Sequence, residues 1–281
     1  MKYALLGDIH SNLEALEAVL ADAERSGAGR VLCLGDIVGY NADPSACVER
    51  IVEAAATTVR GNHDHEAARA AEPEDFAPLA AEGLRYSRNA LDEAQKEWLR
   101  KLPLHKTIRS TGPLGDFSLV HSTFARPDSW AYVFTALDAQ VSLSWQKTRI
   151  GFFGHTHVPH FFVAEEKGKV ETYCYHRVDL RHDAREPEAS ASFEIGALSA
   201  ITEGSVAEAE PASAGGRRYF VNIGSVGQPR DGDPRASYAL FDTRTGVLEL
   251  RRIPYDLALT QRKIILAGLP EELASRLERG R

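Results

Sequence analysis

Short apolar runs alternate with helical spacing along the first part of the chain. The runs at 3–6, 31–34 and 57–59 predict strands, and apolar residues such as Leu16 and Ile51 recur between them at the spacing of a buried helix face. A strand–helix–strand–helix–strand order favours a parallel sheet with crossover helices. Because ligands bind at the carboxyl ends of the strands in such a sheet, polar residues just after these runs are candidates for a site.

The rest of the chain adds more elements of both kinds. Helical spacing predicts helices over 76–101 and 134–146, and the tail from Asp256 predicts two more that separate at 268–270. Strands are predicted at 104–110, 116–120, 150–153, 158–164, 169–178, 217–223, 236–242 and 246–253. The alternation beyond residue 157 suggests a second, more antiparallel sheet. We therefore predict an α/β fold: a layered α-β-β-α sandwich of two mixed sheets flanked by helices.

One stretch, residues 183–216, interrupts these patterns. It is rich in Ala, Glu, Ser, Gly and Pro, which is typical of a flexible surface insertion. The mildly apolar residues 195–201 leave open a lid or an oligomer contact. We expect a single domain over 1–281 with this insertion, and the sequence leaves the oligomeric state open.

Composition and charge narrow the classes of function. A net charge of -7 argues against stable binding to nucleic-acid backbones, although bound cations would still allow a small anionic substrate. The three cysteines have no ligand-like spacing, and their odd number suits free thiols in a reducing compartment. Neither a signal peptide nor an apolar run near the ~20 residues of a membrane span is visible. We expect a cytoplasmic protein without membrane contact.

Metal-binding side chains occur beside glycine in a series of short motifs. They are Gly-Asp-Ile-His (Asp8, His10), Gly-Asp (Asp36), Gly-Asn-His-Asp (Asn62, His63, Asp64), His121 and Gly-His-Thr-His (His155, His157). Asp8, Asp36 and Asn62 each follow a predicted strand of the first sheet, so they should project from the same edge. Oxygen and imidazole ligands without thiolate suit divalent Mn, Fe, Zn, Ni or Co. The sequence predicts a two-metal site that hydrolyses phosphate esters, with Asp36 shared between the ions.

Structural alternatives exist for single members of this set. Asp8 alone is also typical of a turn that caps the next helix. His121, a lone histidine after an apolar strand, is also typical of a hydrogen-bonded core residue. His63, directly after Asn62, is the candidate general acid for the leaving group.

The five motifs, in this order, resemble those of the calcineurin-like metallophosphoesterase superfamily. The stretch at 224–230, Gly-Ser-Val-Gly-Gln-Pro-Arg, further resembles the small bacterial and archaeal phosphodiesterase branch of that superfamily. The resemblance implies one metal held by Asp8, His10, Asp36 and His157, and a second held by Asp36, Asn62, His121 and His155. It also implies that His63 is the general acid, and Mn²⁺ is the favoured ion.

The second motif departs from one branch of the superfamily. Protein Ser/Thr phosphatases carry Gly-Asp-x-Val-Asp-Arg, whereas Gly39 and Tyr40 stand here in place of the last Asp and Arg. A phosphoprotein substrate is therefore not expected, and Asp64 is the local candidate to orient His63. Candidate substrate contacts, adjacent to the motifs, are Asn12, Tyr40, Arg126 and Arg230.

Three functions remain open at this stage. A phosphodiesterase acting on a small or nucleotide-like ester is favoured. A phosphomonoesterase or a dinucleoside polyphosphate hydrolase would use the same site, because the substrate loops decide between them. A non-catalytic metal-binding interaction module is disfavoured, because all the ligand positions and His63 are present.

Overall fold

The computed structural model describes residues 1–164, 170–173, 177–179 and 217–281. Its strands are β1 (Lys2–Leu6), β2 (Arg30–Cys33), β3 (Thr57–Thr58), β4 (His105–Ile108), β5 (Phe117–Val120), β6 (Ile150–Phe153), β7 (His160–Ala164), β8 (Val170–Tyr173), β9 (Arg177–Asp179), β10 (Arg218–Asn222), β11 (Ala236–Asp242) and β12 (Val247–Ile253). Its helices are α1 (Leu13–Arg25), α2 (Pro44–Glu53), α3 (Asn62–Ala67), α4 (Pro78–Ala90), α5 (Glu93–Lys101), α6 (Ala136–Trp145), α7 (Leu257–Leu266) and α8 (Glu271–Glu278). The predicted insertion at 183–216 lies outside the described residues, and the single domain stays a prediction.

The strands form two mixed sheets. The first sheet has the order β3-β2-β1-β11-β12-β9, and the second has the order β4-β5-β6-β10-β7-β8. In the first sheet β3, β2 and β1 are parallel at one end, and β11, β12 and β9 continue it with antiparallel pairs. In the second sheet β5, β6 and β10 are parallel at the centre, and antiparallel pairs extend it on both sides. The predicted sandwich of two mixed sheets with flanking helices is confirmed.

Successive side chains of a strand point to opposite faces of its sheet, so the core forms separate layers on the two faces. Leu5 is buried in the cluster between the sheets, whereas Leu6 lies in the cluster under helices α1 and α2. The ring of Phe117 in the second sheet contacts Phe152 beside it and Phe241 of the first sheet, at centroid distances of 5.7 and 5.4 Å. Because each such buried side chain contributes about 1.5–3 kcal/mol, this contact layer fixes the two sheets against each other.

One prediction about these elements is wrong, and another becomes more specific. The strands after residue 157 do not form a sheet of their own, because β11 pairs with β1 and brings β12 into the first sheet. The stretch 76–101 is two helices, since Leu91 is extended and Asp92 begins α5 with a capping box to Gln95. Helical spacing continues across such a break, so the pattern alone did not reveal it.

No helix among the described residues combines the length and the apolar character that crossing a bilayer requires.

Candidate metal centre

The candidate ligands lie at one edge of the two sheets, on loops or, for Asn62, at the first residue of α3. Several of these residues have left-handed backbone angles that only glycine adopts freely: Asp8 (φ 51°), His10 (φ 48°), Asp36 (φ 52°), His155 (φ 68°) and His157 (φ 61°). Each such angle costs of order 1 kcal/mol, and a cluster of them at one place is typical of a functional site. The left-handed turns at His155 and His157 resolve how two alternating histidines on one segment reach the same cluster.

Two glycines allow the carboxylates to approach the neighbouring loops. A Cβ on Gly61 would lie 2.0 Å from Asp36 Oδ1, and a Cβ on Gly154 would lie 2.4 Å from Asp8 Oδ2. Any side chain at either position would displace a carboxylate. The glycines of the Gly-Asn-His-Asp and Gly-His-Thr-His motifs are therefore part of the packing of the site.

The ligand atoms converge in groups that share Asp36. Nitrogen and oxygen atoms within 4.8 Å of one another form three groups: Asp8 with His10 and His157, His10 with Asp36 and His63, and Asp36 with His121 and His155. Asn62 joins the last group, because its Oδ1 lies 3.1 Å from His121 Nε2. The structure thus brings together all seven predicted ligands.

Backbone carbonyls fix which nitrogen of each histidine faces the cluster. The pairs are His10 Nδ1 with Val38 O (3.1 Å), His121 Nδ1 with Leu34 O (2.8 Å), His157 Nδ1 with Gln228 O (2.6 Å) and His155 Nε2 with Trp130 O (2.8 Å). A carbonyl oxygen only accepts, so the ring nitrogen opposite it carries the proton. The other nitrogen is then free to bind a metal, an arrangement typical of histidine ligands.

The inward-facing nitrogens lie too close together for neutral acceptors. His10 Nε2 is 3.0 Å from His157 Nε2, and His121 Nε2 is 3.2 Å from His155 Nδ1. Facing lone pairs repel at this distance, so positive charge is needed among them, either a proton or a cation. The donor set therefore fits divalent metal ions.

The pKa values of the buried carboxylates and histidines also indicate that the cluster needs positive charge. Burial raises the pKa of Asp8 to about 7 and lowers the pKa of His155 to about 3. Burial would also lower the pKa of His121, but the carboxylate of Asp36, with Asp8, raises it to about 9. Neutral imidazoles are the form that ligates metal, and the carboxylates draw one positive charge to the cluster.

His63 lies against this cluster on an aromatic surface. Its ring centroid is 4.7 Å from Tyr40, 4.7 Å from His10 and 5.2 Å from Phe76. Burial lowers the pKa of His63 to about 4. A Cβ on Gly39 would lie 2.3 Å from His63 Nδ1, which has no hydrogen-bond partner among the described residues. Gly39 is therefore required for this position of the ring.

Asp64 does not orient His63, contrary to the expectation from its position in the motif. Its carboxylate accepts hydrogen bonds from the backbone N–H groups of Asp36 (2.8 Å), Ile37 (2.8 Å) and Gly61 (3.1 Å). These bonds tie the loop that carries Asp36 to the start of α3. Asp64 is thus a positioning residue for a ligand, and the described residues contain no hydrogen-bonding group that orients the His63 ring.

With the geometry established, comparison with known proteins identifies the family. The model of the calcineurin-like phosphoesterase superfamily domain matches residues 1–174. The chain belongs to the calcineurin-like phosphoesterase superfamily. As in that superfamily, it is a metal-dependent hydrolase of phosphate esters. The matched residues contain every candidate ligand and His63.

Relatives of similar length support this membership. An uncharacterized protein of Methanocaldococcus jannaschii is 34% identical over 99% of this chain and 98% of its own length. The crystal structure of a metallophosphoesterase from Sphaerobacter thermophilus is 31% identical, covers 100% of this chain and 99% of that one, and has a TM-score of 0.74. A hypothetical protein from Pyrococcus horikoshii OT3, 18% identical over 100% of this chain and 98% of that one with a TM-score of 0.70, shares the fold.

Two of the expected substrate contacts lie at the cluster. Tyr40 packs against His10 and His63, and its hydroxyl accepts a hydrogen bond of 3.2 Å from Arg230. The charge of Arg230 also acts on the pKa of His157, where burial is the larger cause of the lowered value. Both residues therefore border the space in which a phosphate ester would meet this phosphoesterase centre.

The other two expected contacts are placed elsewhere. Asn12 is fully buried, and its side chain accepts from Ala15 N (3.1 Å) and donates to Gly227 O (3.0 Å). It caps α1 and ties this helix to the 224–230 stretch, so the expectation that it lines the cleft is wrong. The Arg126 side chain is exposed, and no contact among the described residues links it to the cluster.

An aromatic surface beside the group of Asp36, His121 and His155 was not predicted from the sequence. The half-exposed Tyr132 stacks on His155, with 4.1 Å between ring centroids and 18° between planes, and Phe134 stacks on Tyr132 at 5.4 Å. The available signal was the alternation of Trp130, Tyr132 and Phe134 after the ligand His121. No motif marks these residues.

Proposed function

We propose that this chain is a phosphodiesterase whose two divalent ions share Asp36. One ion would be held by Asp8, His10, Asp36 and His157, and the other by Asp36, Asn62, His121 and His155. The observation that carries the proposal is that Asp36 Oδ2 lies 3.6 Å from His10 Nε2 and 3.3 Å from His121 Nε2, so one carboxylate oxygen borders both groups. When bound, such ions lower the pKa of water and neutralise phosphoryl oxygens. We favour Mn²⁺; Fe, Zn, Ni and Co suit the same ligands.

The residues around the cluster support a diester over a phosphoprotein substrate. Gly39 and Tyr40 replace the Asp and Arg of the protein phosphatase motif, and Tyr132, which stacks on His155, adds a second aromatic surface. Flat apolar faces suit the organic groups on both sides of a diester phosphorus. Small or nucleotide-like diesters are therefore the favoured substrates, and a cytoplasmic location stays a prediction.

His63 would supply the proton for the leaving oxygen. At neutral pH its ring is unprotonated, because burial lowers its pKa to about 4. A phosphate anion beside the ring would raise this pKa, since an opposite charge nearby favours the protonated form. Proton uptake by His63 would thus accompany substrate binding, and Arg230 would donate hydrogen bonds to a phosphoryl oxygen.

Hydrolysis of two chromogenic esters tests the proposal. Metal-stripped protein reloaded with Mn²⁺ is expected to cleave bis-p-nitrophenyl phosphate with a higher kcat/KM than p-nitrophenyl phosphate. The same protein in excess chelator is the control and should be inactive. A preference for the monoester would make the chain a phosphomonoesterase, and metal binding without hydrolysis of any phosphate ester would favour the interaction module.

A further inference from the structure

His155 differs from the other three candidate histidine ligands in the nitrogen that faces the cluster. It presents Nδ1, which lies 3.2 Å from His121 Nε2, whereas His10, His121 and His157 present Nε2 and bind a carbonyl through Nδ1. Nδ1 is bonded to the ring carbon that joins the ring to the side chain, so the rest of the His155 ring extends away from the cluster. The orientation of this ring therefore depends on what it contacts on its outer side.

The segment 130–134, which connects the helical turn at Pro127–Ser129 to α6, makes these outer contacts. His155 Nε2 donates to the carbonyl of Trp130 (2.8 Å), and the ring of Tyr132 stacks on the imidazole with 4.1 Å between centroids and 18° between planes. Stacked aromatic rings attract each other beyond the area that they bury. The segment thus holds both an edge and a face of the His155 ring.

The segment itself is fixed by the residues on either side of Tyr132. Val133 is buried in the apolar cluster between the second sheet and α6, and Trp130 has a left-handed backbone angle (φ 54°), a strained conformation for a residue other than glycine. Tyr132 is half-exposed. Among the described residues its ring contacts are with His155 and Phe134 rather than with this apolar cluster. The stack on a candidate ligand is therefore a main contact of this side chain.

The histidines of the first ligand group are enclosed by more deeply buried residues. The rings of His10 and His157 lie 4.8 Å apart, and Tyr40, which is 8% exposed, packs edge-on against His10. His155 is buried as well, but the ring that stacks on it belongs to Tyr132, which is 50% exposed. The two groups of ligands should therefore respond differently to the loss of this one surface side chain.

We propose that Tyr132 is a positioning residue for the second ion and acts through the imidazole of His155, an inference that rests on the two-metal centre of the proposed function. Without the stacked ring the imidazole would rotate more freely about its two side-chain bonds, and metal binding would have to remove this freedom. Groups that orient a ligand in this way typically contribute about 10–100-fold to metal affinity. The expected effect is selective: binding of the second ion is weakened, and binding of the first is not.

Calorimetric titration of the metal-free protein with Mn²⁺ tests this assignment. In Tyr132→Leu one of the two binding steps should weaken about 10–100-fold, while the other should change less than about twofold. Tyr132→Phe keeps the stacked ring and should keep both steps. Trp145→Leu is the matched control, because Trp145 is an aromatic residue of similar exposure (43%) at the far end of α6. This control should also keep both steps.

A double substitution shows whether the effect passes through His155. Residues that act through one another have non-additive effects, so Tyr132→Leu should change nothing further when it is added to His155→Ala. Electron paramagnetic resonance gives a second readout that does not depend on activity. With two equivalents of Mn²⁺, the wild type should show the spectrum of a spin-coupled pair, and Tyr132→Leu should show the hyperfine lines of an isolated Mn²⁺. A general loss of stability would not separate the two ions in this way.

The outcomes separate this inference from the proposed function. Unchanged binding steps in Tyr132→Leu, equal weakening of both steps, loss of a step in Tyr132→Phe, or the same effect in Trp145→Leu would each overturn the role of Tyr132. If the wild type binds two ions but hydrolyses no phosphate ester, the proposed function fails, and the titrations still decide the role of Tyr132. A wild type that binds a single ion would overturn both. Unchanged thermal melting of the metal-free variants excludes a folding defect.

Discussion

At the scale of single residues, the surroundings of His63 are compatible with two roles. It packs between Tyr40, His10 and Phe76, and its backbone N–H donates to Asp36 Oδ1 (2.9 Å). The ring is thus close to the cluster, although four other residues would hold each proposed ion without it. His63 could be either a general acid or an additional ligand, and the two roles differ in what its removal does to metal content.

The His63→Ala variant distinguishes these roles. As a general acid, His63 accounts for about 10²–10⁴-fold in kcat, so the variant should lose activity on this scale and keep its metal. The measurement is kcat for bis-p-nitrophenyl phosphate beside metal content by elemental analysis. His65→Ala is the matched control, because His65 is on the same helix and packs on Trp130 outside the cluster. Loss of metal from the His63 variant would make it a ligand instead.

Asp64 is expected to act on stability and metal binding. In Asp64→Ala the buried N–H groups of Asp36 and Ile37 lose their acceptor, which should cost about 2–4 kcal/mol of unfolding free energy. Mn²⁺ affinity should fall as well, because the loop that carries Asp36 is released. Urea unfolding and calorimetry measure the two effects.

A partly exposed carboxylate provides the comparison for Asp64. Asp138 also accepts from a backbone N–H, that of Thr135 at 2.9 Å, but it does so on the surface. Asp138→Ala should therefore cost about 0.5–1 kcal/mol, the usual scale for a helix cap. Equal effects of the two substitutions would contradict a special role of Asp64.

The proton on His121 makes metal binding depend on pH. Burial opposes this proton, but Asp36 raises the pKa of His121 to about 9, so the cation must displace a proton below that pH. Affinity for Mn²⁺ should fall as pH decreases, about tenfold per unit for each proton displaced. Asp8, with a pKa raised by burial to about 7, adds a second proton at lower pH.

Proton release in calorimetry checks this dependence. Titrations with Mn²⁺ in buffers of different ionisation enthalpy should show about one proton released near pH 8 and more near pH 6. The sign follows from the raised pKa values: both groups hold protons in the metal-free protein that the metal-bound protein lacks. An affinity independent of pH over this range would show that neither group is protonated before the metal binds.

At the scale of elements, the sequence predicted the positions of the candidate ligands better than the pairing of the strands. A polar residue after an apolar run marks the end of a strand, and this rule placed Asp8, Asp36 and His155 correctly because it needs only local sequence. The pairing of β11 with β1 joins residues far apart in the chain, Ala239 with Leu5 among them, and no local pattern encodes it.

Neighbourhood in sequence was a poor guide to substrate contacts. Asn12 follows the first motif closely, but it is the N-cap of α1. Its side chain therefore accepts a hydrogen bond from the backbone N–H of Ala15 in the first turn of this helix. Asp64 was misjudged similarly, because the first turn of α3 directs its carboxylate to backbone amides. The unpaired backbone N–H groups at the start of a helix bind polar side chains that would otherwise face a site. A motif does not reveal this unless the helix boundaries are known.

At the scale of the whole molecule, the candidate metal ligands come from both sheets. Asp8 and Asp36 follow strands of the first sheet, whereas His121 and His155 follow strands of the second. Ions bound to both sets would link the sheets at this edge, in addition to the apolar layer between them. Any ligand that binds only the folded state stabilises it by mass action, by about 2.7 kcal/mol at a concentration 100 times the dissociation constant.

Thermal unfolding with and without metal tests this linkage. Mn²⁺ should raise Tm, and chelator should reverse the rise, because the unfolded chain cannot bring the two sets of ligands together. Asp36→Asn should abolish most of the rise, since this carboxylate borders both groups of ligands. His63→Ala should keep it, because the loss of a general acid leaves both metal positions intact. A full rise in Asp36→Asn would mean that the ions do not share this carboxylate, and the proposed two-metal centre would then have to be abandoned.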